Sequence, residues 1–149
     1  MRTQWSGLTV DCVDPVRLAA FWGALLDREP EPGLPGWMQL AARHDHEPRI
    51  NFQPVPEPKR GKARTHLDIT VDDIDSAVAR VHDLGGRDTG ERHEYPEGTV
   101  VVLHDPEGNE FCIVQYEPRA IKKADGEWRD LRRAALAGAD AGDDRSIRE

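Results

Sequence analysis

The sequence predicts an α+β fold made of two tandem βαβββ modules, and three observations carry that prediction. The first is a repeat. LTVDCVD at 8–14 and LDITVDD at 67–73 are both apolar-alternating strands that run straight into a helical pattern. Self-similarity at such a spacing marks one supersecondary unit used twice. The second is the way each copy closes, with INFQPVPEP at 50–58 and FCIVQYEP at 111–118. The third is the order in between: strand, helix, then short strands punctuated by turn residues, which suits antiparallel sheets carrying one helix per half.

Each element has its own signal. A first strand is expected at 7–13, and Asp14 caps the helix that follows, with Pro15 at its first position and Leu18, Phe21, Trp22 and Leu25 as its apolar stripe. A weak strand near 28–32 and firmer ones at 36–42 and 48–54 complete the first module. PKRGKAR at 58–64 reads as a solvated connector. The second module opens with a strand at 64–71. A helix capped by Asp72 or Asp73 follows, with Ile74, Ala77, Val78 and Val81 on one face and Gly85 and Gly86 as the stop. Strands at 87–94, 98–104 and 110–116 follow, the last two joined by the tight turn DPEGNE at 105–110. Beyond Pro118, Trp128, Leu131 and Ala135 share a helical face, whereas the final stretch is too polar to order itself. The expected organisation is therefore a main domain at 1–118, with modules at about 1–58 and 62–118. A helical extension at 119–138 would dock on the body or on a second subunit, and 139–149 would be a disordered tail.

Composition excludes several classes of function. A net charge of −8 without a sustained basic cluster argues against nucleic acid, whose binding needs a basic face. The longest apolar run, Leu18 to Leu26, is far short of the ~20 residues of a membrane span. Met1 leads directly into RTQWSG with no apolar leader, so a cytoplasmic location is expected. Cys12 and Cys112 fall on strand faces of opposite sense, which predicts free thiols rather than a disulfide.

Strand parity then sorts the candidate site. If Leu67, Ile69 and Val71 pack under the second helix, His66, Asp68 and Thr70 face the other way. By the same logic Leu8, Val10 and Cys12 are helix-side, leaving Gly7, Thr9 and Asp11 opposite. Asn51 and Gln53 share the far face with Arg49, as Glu110, Cys112 and Val114 do in the last strand. That far face is polar, either because it is solvated or because it lines a concave site; we read it as a cleft. Three further groupings carry less weight. His44, Asp45 and His46 form a metal-like spacing on a polar loop, and His104-Asp105 is expected at the surface. His93-Glu94-Tyr95 is placed at the cleft mouth.

The pairing of LTVDCVDPVRLAAFW with HLDITVDDIDSAVARV, closed by DPEGNEFCIVQ, resembles the vicinal-oxygen-chelate superfamily. This is the group of glyoxalase I, the extradiol dioxygenases, and the fosfomycin- and bleomycin-resistance proteins. FQPVPEPKRGKARTHLDI and DPEGNEFCIV look closest to the glyoxalase-like proteins common in actinobacteria. The resemblance spans about 7–117 and implies eight strands enclosing a cleft. It also implies one divalent metal held by His and Glu from the first and last strands of each module. Those positions fall on Gly7, Asn51, His66 and Cys112, of which only His66 is of the usual type.

Two functional expectations follow. The first is a protein that binds a small polar molecule, cationic or hydrogen-bond-rich to suit the acidic far face, at a ligand set of Thr9, Asp11, Asn51, Gln53, His66, Asp68, Thr70 and Cys112. It needs no cofactor and works as a homodimer. The alternative is a metal-dependent lyase, isomerase or dioxygenase with one Mn, Fe, Ni or Zn at a rearranged site of His66, Asp68 and Asp11. In that enzyme His66 and Glu110 are the catalytic candidates, Glu110 as a general base. A His66–Cys112 nucleophilic pair stands against the plainer reading of a buried, inert thiol.

Overall fold

Asp14 accepts a hydrogen bond from the Arg17 backbone N–H at 3.0 Å and so opens α1, Pro15–Leu26. Asp73 does the same for α2, Ile74–Asp83, through the Ser76 N–H at 2.7 Å. In both helices the cap satisfies a backbone donor that has no partner within the helix. The computed structural model describes residues 1, 3–44 and 47–117. The remaining elements are β1 (Gly7–Cys12), β2 (Pro30–Pro32), β3 (Met38–Leu40), β4 (Arg49–Pro54), β5 (Asp68–Thr70), β6 (Arg87–Tyr95), β7 (Gly98–His104) and β8 (Glu110–Tyr116). The expected extension at 119–138 and tail at 139–149 lie outside the described residues, as does most of the His44–His46 grouping.

The doubling is visible in the topology. The eight strands hydrogen-bond as two sheets of four, in the orders β1-β4-β3-β2 and β5-β8-β7-β6. In each sheet the first strand runs parallel to the last, and the other pairs are antiparallel. Thr9 pairs with Asn51 in one sheet and Asp68 with Cys112 in the other. Both helices lie on the apolar side of these sheets, so α+β is the fold.

Strand boundaries depart from expectation mainly in β5. The expected strand at 64–71 contracts to Asp68–Thr70, which pairs with Cys112–Val114 of β8. Single bonds flank it, from the Cys112 N–H to the Leu67 carbonyl and from the Val71 N–H to the Val114 carbonyl, both at 2.9 Å. His66 therefore sits just ahead of the strand rather than within it. The weak strand is present as β2, and the 98–104 and 110–116 strands fall where the sequence puts them.

One core joins the two halves. Phe21 and Trp22 of α1 meet Phe111 of β8 edge-on, with ring centroids 6.0 and 5.0 Å apart. The turn between β7 and β8 reaches back to the first module. The Glu107 carboxylate accepts from the Val13 and Asp14 N–H groups at 2.9 and 2.7 Å, at the mouth of α1. Asp105 corrects a sequence expectation, since it is fully buried rather than at the surface. It accepts from Trp22 Nε1 at 3.2 Å and from Asn109 Nδ2 at 2.8 Å, and its other oxygen takes the N–H groups of Glu107 and Asn109. The connector is not wholly solvated either: Lys59 folds onto Glu110 at 2.9 Å.

Candidate functional site

His66, just ahead of β5, and Asp68, at its start, line one hollow, and the parallel register sets Cys112 beside Asp68 on that same face. His66 Nε2 lies 3.3 Å from Asp68 Oδ1, and both side chains are open to solvent, 50% and 63% exposed. Cys112 is only 8% exposed. One ligand atom from each of the three lies within 4.8 Å of the other two. They open onto a hollow of about 330 Å³, lined also by Tyr95, Glu97, Val100, Val114 and Tyr116.

The other candidates do not line that hollow, although Thr9 and Glu110 share with His66 a second one of about 180 Å³. Asn51 Nδ2 donates to Thr9 Oγ1 at 3.3 Å on the first sheet, and Asn51 lines a separate hollow of about 380 Å³ with Trp37, Gln39 and Arg49. Asp11 faces a further hollow, of about 470 Å³, beside Lys59 and Lys62. Gln53 is half-buried on β4, and Thr70 is exposed at the end of β5. Gly7 cannot carry a ligand of any kind, because a Cβ there would stand 2.7 Å from the Arg49 carbonyl oxygen. Among the described residues, Asp11 is not part of the His66–Asp68–Cys112 group.

Electrostatics separates these groups chemically. The Lys59 ammonium, chiefly, and the Ala63 N–H hold the Glu110 carboxyl down at about 2, against an ordinary value of 4.5. A carboxylate so stabilised is a clamp between connector and β8, and a poor proton acceptor. Burial, then the Asp68 carboxylate, pushes the Cys112 thiol up to about 11. That is the reverse of an activated nucleophile, which needs a lowered thiol pKa. Cys12 is pushed up to about 12, again first by burial, and both cysteines are free.

Part of the lining, from the β6–β7 turn, β7 and the end of β8, is not marked in the sequence. Tyr95, expected at the cleft mouth, lines the hollow, and it is joined there by Glu97, Val100 and Tyr116. Parity along β7 and β8 carried the signal for Val100 and Tyr116, since each shares a face with Val114 through the registers Val100↔Val114 and Gly98↔Tyr116.

Comparison with known proteins agrees with this architecture. A glyoxalase/bleomycin resistance protein/dioxygenase family enzyme from Burkholderia phytofirmans is 20% identical. It superimposes with a TM-score of 0.62 over 75% of this chain and 98% of its own. A genomically encoded fosfomycin resistance protein from Listeria monocytogenes is 14% identical, with a TM-score of 0.62 over 80% and 98%. A glyoxalase-related enzyme from Fulvimarina pelagi is 16% identical, with a TM-score of 0.60 over 76% and 88%. At these identities the likeness is one of fold. A search of curated protein sequences gave no match. The model of the glyoxalase-like domain matches residues 7–114, so the chain belongs to the glyoxalase-like domain family, within the vicinal-oxygen-chelate superfamily.

Proposed function

We propose that this protein binds a small polar molecule in the hollow on its second sheet, and that the superfamily's hard-metal site is degenerate here. The chemistry of the donor positions carries the reading. Gly7 has no room for a side chain, and Asn51 offers a neutral amide already bonded to Thr9. With two of the four positions lost, a hard ion such as Mg or Mn keeps too few oxygen donors to compete with water. The hollow itself combines tyrosines and valines with His66, Asp68 and Glu97, the mixture of apolar wall and few polar anchors common in ligand sites. Two carboxylates there favour a cationic or donor-rich ligand.

A thermal-shift screen of small amines and polyhydroxy compounds tests this on the full chain. We expect saturable stabilisation by at least one, lost in His66→Ala and Asp68→Asn while Mg and Mn give no shift. A Mn-dependent shift abolished by His66→Ala would instead establish the second reading, a metal-dependent lyase, isomerase or dioxygenase with a rearranged site. The convergence of His66, Asp68 and Cys112 is the observation that favours that alternative.

The setting of this function is proposed on the same terms. Two free, buried cysteines suit a reducing, cytoplasmic compartment. Among the described residues, no helix is long and apolar enough to cross a membrane. Exposed Tyr95 and Tyr116, beside valines on a sheet face that carries no helix among the described residues, support a homodimer that covers part of that face.

A further inference from the structure

We infer that the seam between the two modules is a second binding site, for a small aromatic amide. One ring lies between the sheets, and an amide group pairs with the free edge of β1. The site is separate from the hollow of Tyr95 and Tyr116, and it is built from helix-side residues and backbone groups.

Topology creates the seam. β1 ends one sheet, β5 ends the other, and no ladder joins them. An edge strand of this kind leaves alternate backbone groups without a partner. The Val55 N–H donates to the Cys12 carbonyl at 2.9 Å, so Cys12, Val10 and Leu8 turn their backbone groups toward β4. Thr9 and Asp11, offset by one, turn theirs away from it. Among the described residues, neither finds a backbone partner on that side. Gly7, the next residue on the same edge, has its carbonyl taken by Trp5 Nε1 at 2.9 Å.

Two adjoining hollows run along this edge. Thr9 lines the inner one, of about 180 Å³, and Asp11 the outer one, of about 470 Å³, while Val10, Ala63 and Asn109 line both. The inner walls are apolar: Leu8, Val10, Leu67, Trp22 and Phe111. An apolar cavity of about 150 Å³ takes one benzene ring. Leu8, Val10 and Leu67 are only half-buried although they sit on the helix side, so a ring between the sheets would cover apolar surface that their packing leaves open. Trp22 and Phe111 offer that ring edge-on contacts.

Polar groups in the inner hollow select a neutral partner. Asp105 already accepts from Trp22, Asn109 and two backbone N–H groups. Glu110 is held by Lys59 and the Ala63 N–H. Neither carboxylate is left to attract a cation. The Thr9 N–H and C=O are a donor and an acceptor side by side, the pattern an amide complements when it extends a sheet edge. The outer hollow carries both signs, Arg60 and Lys62 against Asp11 and Glu57, and so admits polar substituents without selecting a charge.

The experiment is an amide NMR titration of the full chain with N-acetylphenylalaninamide, which supplies ring and amide together. We expect saturable shifts at the Thr9 N–H and the Trp22 indole N–H. With ligand at about ten times its Kd, exchange of the Thr9 N–H should slow by about tenfold. N-acetylglycinamide, which lacks the ring, and toluene, which lacks the amide, should each bind more weakly. Ala63→Phe, at the position that lines both hollows, should abolish binding, whereas Asp68→Asn should leave it unchanged. No saturable shift, shifts confined to Tyr95, Val100 and Tyr116, toluene binding as tightly as the amide, or full affinity in Ala63→Phe would overturn the inference. If Ala63→Phe proves unstable, the wild-type shifts and the toluene comparison decide. A loss of affinity in Asp68→Asn would assign the ligand to the other hollow and overturn it as well.

Discussion

Replacing Glu110 by Gln separates its role as a clamp from the role of general base. The Lys59–Glu110 pair spans 2.9 Å with side chains only 18% and 17% exposed, and the Ala63 N–H adds a second bond to the carboxylate. A folded-state value of about 2 against an ordinary 4.5, at about 1.4 kcal/mol per pH unit, sets a ceiling near 3.5 kcal/mol. Residual solvent screening and the ordering of the lysine lower this to about 1–2 kcal/mol. Because the folded value is depressed, the stabilisation is present in full above pH 4.5 and is lost as the pH falls through about 2. Urea unfolding at stepped pH is the assay. At neutral pH Glu110→Gln should be less stable by about 1–2 kcal/mol with an unchanged m-value. The gap to wild type should close as the pH falls from about 4.5 to 2. Curves that coincide at neutral pH, or run parallel throughout, would refute the clamp and restore Glu110 as a free carboxylate.

Two further outcomes follow from buried groups. Asp105→Ala removes the acceptor for four hydrogen bonds and strands Trp22 Nε1 in the core. We expect a loss of about 3 kcal/mol and a fall of roughly 10 °C in Tm, followed by calorimetry and tryptophan fluorescence; a loss under about 1 kcal/mol would mean the turn re-forms without it. With their thiols pushed up to about 12 and 11, Cys12 and Cys112 should resist a disulfide reagent near neutral pH in the native, metal-free protein. Both should react once guanidinium unfolds the chain, and rapid native modification of Cys112 would revive the nucleophile reading.

Local chemistry made much of this protein legible in its sequence. Asp14 and Asp73 cap their helices through bonds to residues three positions on, and such contacts depend on neither half of the fold. Strand parity assigned His66, Asp68 and Cys112 to one face and Cys12 to the other, because the period of a strand is a property of its backbone. The internal repeat determined that the topology is doubled, but the sequence pointed to antiparallel sheets, and the parallel pairing of first and last strands in each sheet is set by the tertiary fold.

Long-range pairing decided the rest. Parity places Thr9, Asp11 and Asn51 on far faces, but only the packing of two sheets determines which hollow each one lines, Thr9 one shared with His66, Asp11 and Asn51 two others. The spacing of Asp105 and Trp22, 83 residues apart, gives no hint that one buries the other's indole N–H. Lys59 looks like a solvated connector residue until the fold brings it to Glu110, and that contact turns a candidate base into a clamp. Burial and charge pairing are set by groups distant in the chain, so a donor's identity was readable from the sequence, while its partners and its pKa belonged to the tertiary structure.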